Sequence, residues 1–164
     1  MRHSIRAAAA ALLCCATPAL AATVHVQDPV PFSESAFIAD NIKAECSMGA
    51  QLATSLGSNA PKFGNTIAFG DVPDNQGRVL KLELVEAQSA RTGMAHYKSA
   101  TVRGVLLDDG QKVAKVTARR ISRGGAFGGF KGSCDVLERV VNAIGGDLAE
   151  WPANPTDDAR LGDF

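Results

Sequence analysis

The chain is poor in the residues from which catalytic centres are usually assembled. It has 3 histidines, one of them His3 near the start, so His25 and His96 are the only imidazoles in the body of the chain. They are too far apart in sequence to form a ligand pair at helical or turn spacing, which argues against a zinc-type site, and no metal or other cofactor is expected. No Gly-x-Ser-x-Gly elbow marks a nucleophile, and no Cys-x-x-Cys pair marks a redox centre. Catalytic residues are therefore not assigned, and the expectation is a protein that is not an enzyme. Long apolar runs are also missing after the first residues, so no transmembrane segment is expected. There is no large basic excess either, which argues against general nucleic-acid binding.

Residues 1–21 have the three parts of a secretory signal. Arg2, His3 and Arg6 give a basic start, residues 7–16 an apolar middle, and Ala19-Leu20-Ala21 a small-x-small cleavage site. Cleavage between Ala21 and Ala22 places the mature protein in the periplasm or outside the cell. Cys14 and Cys15 raise the alternative of a lipoprotein signal, but they follow leucines where a lipid-attachment cysteine favours small residues. Loss of Arg2 and Arg6 leaves a slight acidic excess over a chain that starts with 17 basic and 17 acidic residues. What remains suits one domain, residues 22–152, followed by a weakly ordered tail, residues 153–164.

Of 4 cysteines, only Cys46 and Cys134 survive cleavage. Two cysteines in an oxidising compartment have one possible pairing, so a Cys46–Cys134 disulfide is expected, the plain alternative being two buried thiols.

The pattern along the chain gives an α+β fold with a mainly antiparallel sheet of 3–5 strands and two helices on one face, joined by that disulfide. Residues 23–27 alternate as a first strand, ended by Pro29 and Pro31. Ser33 or Ser35 caps a helix carrying Ile38, Ile42, Cys46, Ala50, Ala53 and Leu56 at spacings of three or four. Residues 66–69 form an edge strand and 71–78 a loop. Leu80, Leu82 and Leu84 then alternate with Lys81 and Glu83, the mark of a strand with one buried face. Residues 88–96, small and polar around Gly93, read as a flexible connection. A hairpin follows, turning at Asp108-Asp109-Gly110. A three-residue turn would set Leu107 opposite Gln111, and Ala100, Val102 and Gly104 opposite Ala118, Val116 and Ala114, keeping small residues on one face. The last helix is the clearest element: Cys134, Leu137, Val141, Ile144, Leu148 and Trp151 recur every three or four residues, with Ser133 as its N-cap and Gly145-Gly146 as a weak point.

Between hairpin and helix runs Gly124-Gly125-Ala126-Phe127-Gly128-Gly129-Phe130. A glycine-rich strand-to-helix loop next to Lys131 and the N–H groups of a helix start can hold an anion. Its spacing lacks the Gly-Lys-Ser/Thr triplet of a phosphate loop, and a glycine-rich connector is the plainer reading. Phe127 and Phe130 either tuck beneath the loop or form a contact surface. Basic residues crowd the same region, and in the register above Arg103, Lys115 and Arg119 share the face opposite the small residues. That is a solvated sheet face or one that meets an acidic partner or an anionic envelope surface. The candidate binding residues are therefore Arg119, Arg123, Phe127, Phe130, Lys131 and Ser133.

The run 102–151, with its Asp-Gly turn, basic strand end, Ser122-Arg123-Gly124-Gly125-Ala126-Phe127-Gly128-Gly129 loop and final helix, resembles small secreted proteins of Gram-negative bacteria without an assigned function. More distantly it is similar to envelope-lipoprotein domains related to the TolB N-terminal domain and the curli-secretion lipoprotein. The resemblance implies a periplasmic α+β module that works by contact with an envelope protein or by peripheral contact with the envelope, and it carries over no catalytic residues. A small-ligand or anion-binding protein, even a hydrolytic one, built on the glycine loop and the start of the last helix is the competing expectation.

Overall fold

The computed structural model describes residues 22–71, 73–92, 95–123 and 132–164. The signal sequence, Phe127, Phe130 and Lys131 lie outside the described residues, and so does the rest of the glycine loop.

Among the described residues seven strands form one mixed sheet: β1 (Ala22–Val26), β2 (Phe32–Ile38), β3 (Asn65–Phe69), β4 (Arg78–Thr92), β5 (Ala95–Asp108), β6 (Gln111–Arg123) and β7 (Ala159–Gly162), in the order β3-β1-β4-β5-β6-β7. β2 also pairs with β4, further along the edge that β1 uses. The long β4-β5-β6 ladders are antiparallel, whereas β1 with β3 and β4, β2 with β4, and β6 with β7 are parallel. The sheet is thus larger than expected and not mainly antiparallel at its margins.

Three described α-helices cover one face: α1 (Asp40–Glu45), α2 (Met48–Asn59) and α3 (Ser133–Glu150). The single helix expected from residue 33 onwards is replaced by β2, α1 and α2. Pro29 and Pro31 deliver an extended chain to the open margin of β4, where the Leu84 N–H donates to the Pro31 carbonyl at 2.9 Å, and backbone pairing there outweighs the helical spacing of Ile38 and Ile42. Cys46 is extended (φ −104°, ψ 128°) and separates α1 from α2. The Glu138 carboxylate of α3 accepts the Ser47 N–H at 3.0 Å, satisfying a donor at the start of α2.

Residues expected to connect β4 to β5 are strand, since β4 runs to Thr92 and β5 begins at Ala95, each supplying the other's backbone partners. The β5–β6 turn also differs from expectation. Asp108 pairs with Gln111 around a two-residue turn with Asp109 (φ 45°) and Gly110 (φ 83°), and the register shifts by one between Leu106/Ala114 and Leu107/Lys112. That irregularity brings Val102 opposite Ala118 and Gly104 opposite Val116, so the small residues share a face after all. Finally, the tail expected to be weakly ordered forms β7. The Asp163 N–H donates to the Arg119 carbonyl at 2.7 Å, and the Asp163 carboxylate accepts the Ile121 N–H at 2.9 Å.

One apolar cluster lies between the helices and the sheet. It joins Leu80, Leu82, Leu84, Val102 and Leu106 with Leu52, Leu56, Leu137, Ile144 and Leu148. Full burial of each such side chain is worth about 1.5–3 kcal/mol. Cys46 and Cys134 are disulfide-bonded with Cα atoms 5.0 Å apart and 88 positions apart in sequence, clamping the start of α3 to the α1–α2 junction. Ser133 is the first residue of α3 and not its cap; Gly132 holds the cap position without a side-chain bond.

Candidate functional site

Because the helices and the disulfide occupy one face, no described helix covers the other, the open face, where Ser99 and Thr101 are nonetheless buried, and alternation decides what it shows. On β6, Ala114, Val116 and Ala118 are buried under α3, so Lys115, Thr117 and Arg119 point the other way. On β5 the same rule places Ser99, Thr101, Arg103 and Val105 outward, and on β4 Lys81, Glu83 and Glu86.

The register turns this into rows across the sheet. Glu83, Arg103, Thr117 and Arg160 form one, and Glu86, Thr101, Arg119 and Gly162 the next. Directly opposite neighbours have Cβ atoms about 4.5–5.5 Å apart. Thr117 therefore stands between Arg103 and Arg160, with Lys115 and Arg119 two residues away along its own strand, about 6.6 Å each. Arg103, Lys115, Thr117, Asp158, Arg160 and Phe164 are among the residues that line a shallow groove of about 540 Å³. The Arg160 guanidinium lies 4.1 Å from the centre of the Phe164 ring, a stacking that holds it over the groove.

The acids nearby are distributed unevenly. Lys115 bonds Asp158 at 2.8 Å, and that hydrogen bond, reinforced by the Asp158 charge, raises its ammonium above the usual lysine range. The Lys115 N–H donates to Asp157 at 2.8 Å, which holds that carboxyl below its usual value. Glu86 accepts from Thr101 at 3.0 Å and from Gln88. Among the described residues no carboxylate lies within 4.0 Å of the Arg103, Arg119 or Arg160 side-chain nitrogens, and the buried Nε of Arg119 has no hydrogen-bond partner. Arg120, on the helix side, is committed elsewhere: it meets Asp147 through Nε at 2.7 Å and Nη2 at 2.6 Å, and these bonds raise its guanidinium further.

The candidates read from the sequence divide between the two faces. Arg119 lies on the open face, and Arg123 ends β6 on the same side, beside a second groove formed with Ile121 and Asp163. Ser133 lies on the helix side, its Oγ 3.3 Å from that of Ser89. The structure does not bring Ser133 together with Arg119. Arg160 and Phe164 were missed because they belong to a tail with only four strand residues; the signal available was its charged-aromatic ending. His25 is on the open face but away from the arginines, in a cleft of about 230 Å³ with Asp71, Asp74, Lys81 and Glu83. Among the described residues no group of three or more His, Cys, Asp or Glu side chains is placed to hold a metal ion. No described helix is long and apolar enough to cross a membrane.

No protein-family model matches the chain, and no curated protein matches it in sequence. Solved structures match its fold. A Xanthomonas campestris protein of family DUF330 has a TM-score of 0.58 at 14% identity over 84% of this chain and 88% of its own. A hypothetical protein from Chlamydia trachomatis has a TM-score of 0.53 at 10% identity, covering 83% of this chain and all of its own (100%). A minor lipoprotein from Acinetobacter baumannii has a TM-score of 0.50 at 13% identity, covering 81% and 93%. The chain shares its α+β fold with proteins of Gram-negative bacteria that include a lipoprotein.

Proposed function

We propose that the protein is a non-catalytic periplasmic contact module of the cell envelope, secreted by cleavage after Ala21, whose binding surface is the open face of the sheet and whose partner is an envelope protein. One observation carries this reading: the helices, the disulfide and the apolar core are confined to one face, while the other gathers Arg103, Arg119 and Arg160, whose side-chain nitrogens have no carboxylate within 4.0 Å among the described residues. Cationic groups arranged this way recruit and orient an anionic surface. The lipoprotein among the structural relatives supports the compartment. Kinship with the TolB N-terminal domain and the curli-secretion lipoprotein is part of the same proposal.

Co-purification from periplasm tests it. Wild-type protein should retain a partner that is lost on charge reversal of the open face, as Arg103→Glu with Arg119→Glu, and kept on Arg139→Glu at the exposed surface of α3. Retention by all three proteins, or capture by none, contradicts the proposal. The competing anion site at the start of α3 has in its favour the meeting of Ser133 with Ser89. It predicts loss of binding on Ser133→Ala instead.

A further inference from the structure

Within the open face, the ring around Thr117 has a more specific chemistry than a basic surface. Two arginines face each other across the threonine, Arg119 follows along the strand, and Lys115 completes the set while tied to Asp158. We infer that this ring is a binding site for a phosphate group carried on the ligand or partner that the open face meets, an assignment that rests on the proposed role of that face.

The choice of phosphate follows from counting donors and charge. A carboxylate carries one charge and is saturated by a single arginine fork. Here the Arg103 and Arg160 guanidinium groups, with no carboxylate within 4.0 Å among the described residues, line one groove with the Thr117 hydroxyl and Lys115, which fits a group bearing three acceptor oxygens and about −1.5 to −2 charge at pH 7. The sheet spacing matters as well. Flanking side chains rooted about 5 Å to either side of Thr117 can lean inward from opposite directions, so both arginines reach one tetrahedral anion while the Thr117 hydroxyl approaches from beneath. Phe164 stacks on Arg160 and limits its freedom, lowering the ordering cost of using it. Glu83, opposite Arg103, borders the ring, while Asp158, bonded to the Lys115 side chain, lines the groove itself and Asp157 accepts the Lys115 N–H. These acids oppose a fully anionic sheath and favour a single seated group.

Mature protein titrated with inorganic phosphate, and separately with vesicles of phosphatidylglycerol in phosphatidylcholine, tests the assignment at physiological ionic strength. Binding to either probe supports it, and which probe binds distinguishes a free phosphate from a lipid headgroup. Removing both charge-assisted forks in Arg103→Ala with Arg160→Ala should weaken that binding at least about ten-fold, whereas Arg139→Ala should leave it unchanged. Circular dichroism and the melting transition of the double variant establish that it is folded. A milder Thr117→Val variant should weaken phosphate and leave the fold intact. Binding of neither probe, equal binding of succinate, or loss on Ser133→Ala with no loss in the double variant overturns the site. A phosphate site lost in the double variant, in a protein that captures no periplasmic partner, would uphold this assignment and remove the protein-contact reading.

Discussion

Gly145 of α3 sits against Ser55 of α2 so closely that a Cβ on the glycine would lie 2.7 Å from the Ser55 Cβ and 3.0 Å from the Leu52 carbonyl oxygen. The Ser55 hydroxyl donates to the Asn142 carbonyl at 2.6 Å in the same contact. Gly146, one residue on, has nothing within 4 Å of such a position. The pair that looks like a flaw in the helix therefore has one required glycine and one dispensable one. Gly145→Ala should lower stability by about 1–3 kcal/mol through overpacking. Gly146→Ala should raise it by about 0.5–1 kcal/mol through helix propensity. Urea unfolding of both variants checks the contrast; equal effects of the same sign would mean that the helices are not in this contact.

The Cys46–Cys134 link closes most of the domain into one loop. Thiol labelling of unfolded mature protein should find no free cysteine. The Cys46→Ser, Cys134→Ser double variant should lose about 2–5 kcal/mol in denaturant unfolding. Two labelled thiols in periplasmic material would contradict the link.

The C-terminal strand depends on Gly162, whose φ of +93° and closeness to Arg119 leave no room for a side chain: a Cβ there would be 2.1 Å from the Arg119 carbonyl oxygen. Gly162→Ala should detach β7 and raise hydrogen exchange at the Ile121 and Asp163 amides, both bonded in that contact. It should also weaken binding at the open face, because Arg160 leaves with the strand. Unchanged exchange at these amides would show that β7 is not held this way.

Asp157 accepts the Lys115 N–H, so its folded pKa lies below its ordinary value of 3.8. A carboxyl with a depressed folded pKa contributes stability that is fully present above 3.8 and is lost as pH falls through the lower folded value. The Lys115 amide resonance should titrate with a midpoint below 3.8, and Asp157→Asn should abolish that titration. A midpoint at or above 3.8 would contradict the hydrogen bond.

How much of this was legible in the sequence depended on whether the cause was local. The stripe from Cys134 to Trp151 reflects one buried helix face, β1 announces itself by short alternation, and residues 66–69, read as an edge strand, lie in β3 at the sheet margin. The disulfide followed from having two cysteines left. Residues 32–38 were misread because the spacing of Ile38, Ile42 and Cys46 is helical, while the parallel pairing with β4 is set by residues some fifty positions away. The register shift beside Val113 cannot be inferred from either turn alone, although the need for small residues to share a face was visible. On the open face, Arg103, Lys115 and Arg119 were placed by alternation. Arg160 and Phe164 were not, because the tail joins the sheet through Asp157, Asp158 and Asp163, whose bonds have no periodic signature.

The open face, and not the helical one, is proposed to meet the partner. Site-specific photocrosslinking in intact cells tests it most directly, with the crosslinking residue placed at Val105 beside Arg103 or at Thr54 on the exposed surface of α2. A discrete adduct is expected from position 105, disappearing when Arg103 and Arg160 are changed to alanine, and none from position 54. An adduct from position 54 with none from position 105 would contradict it.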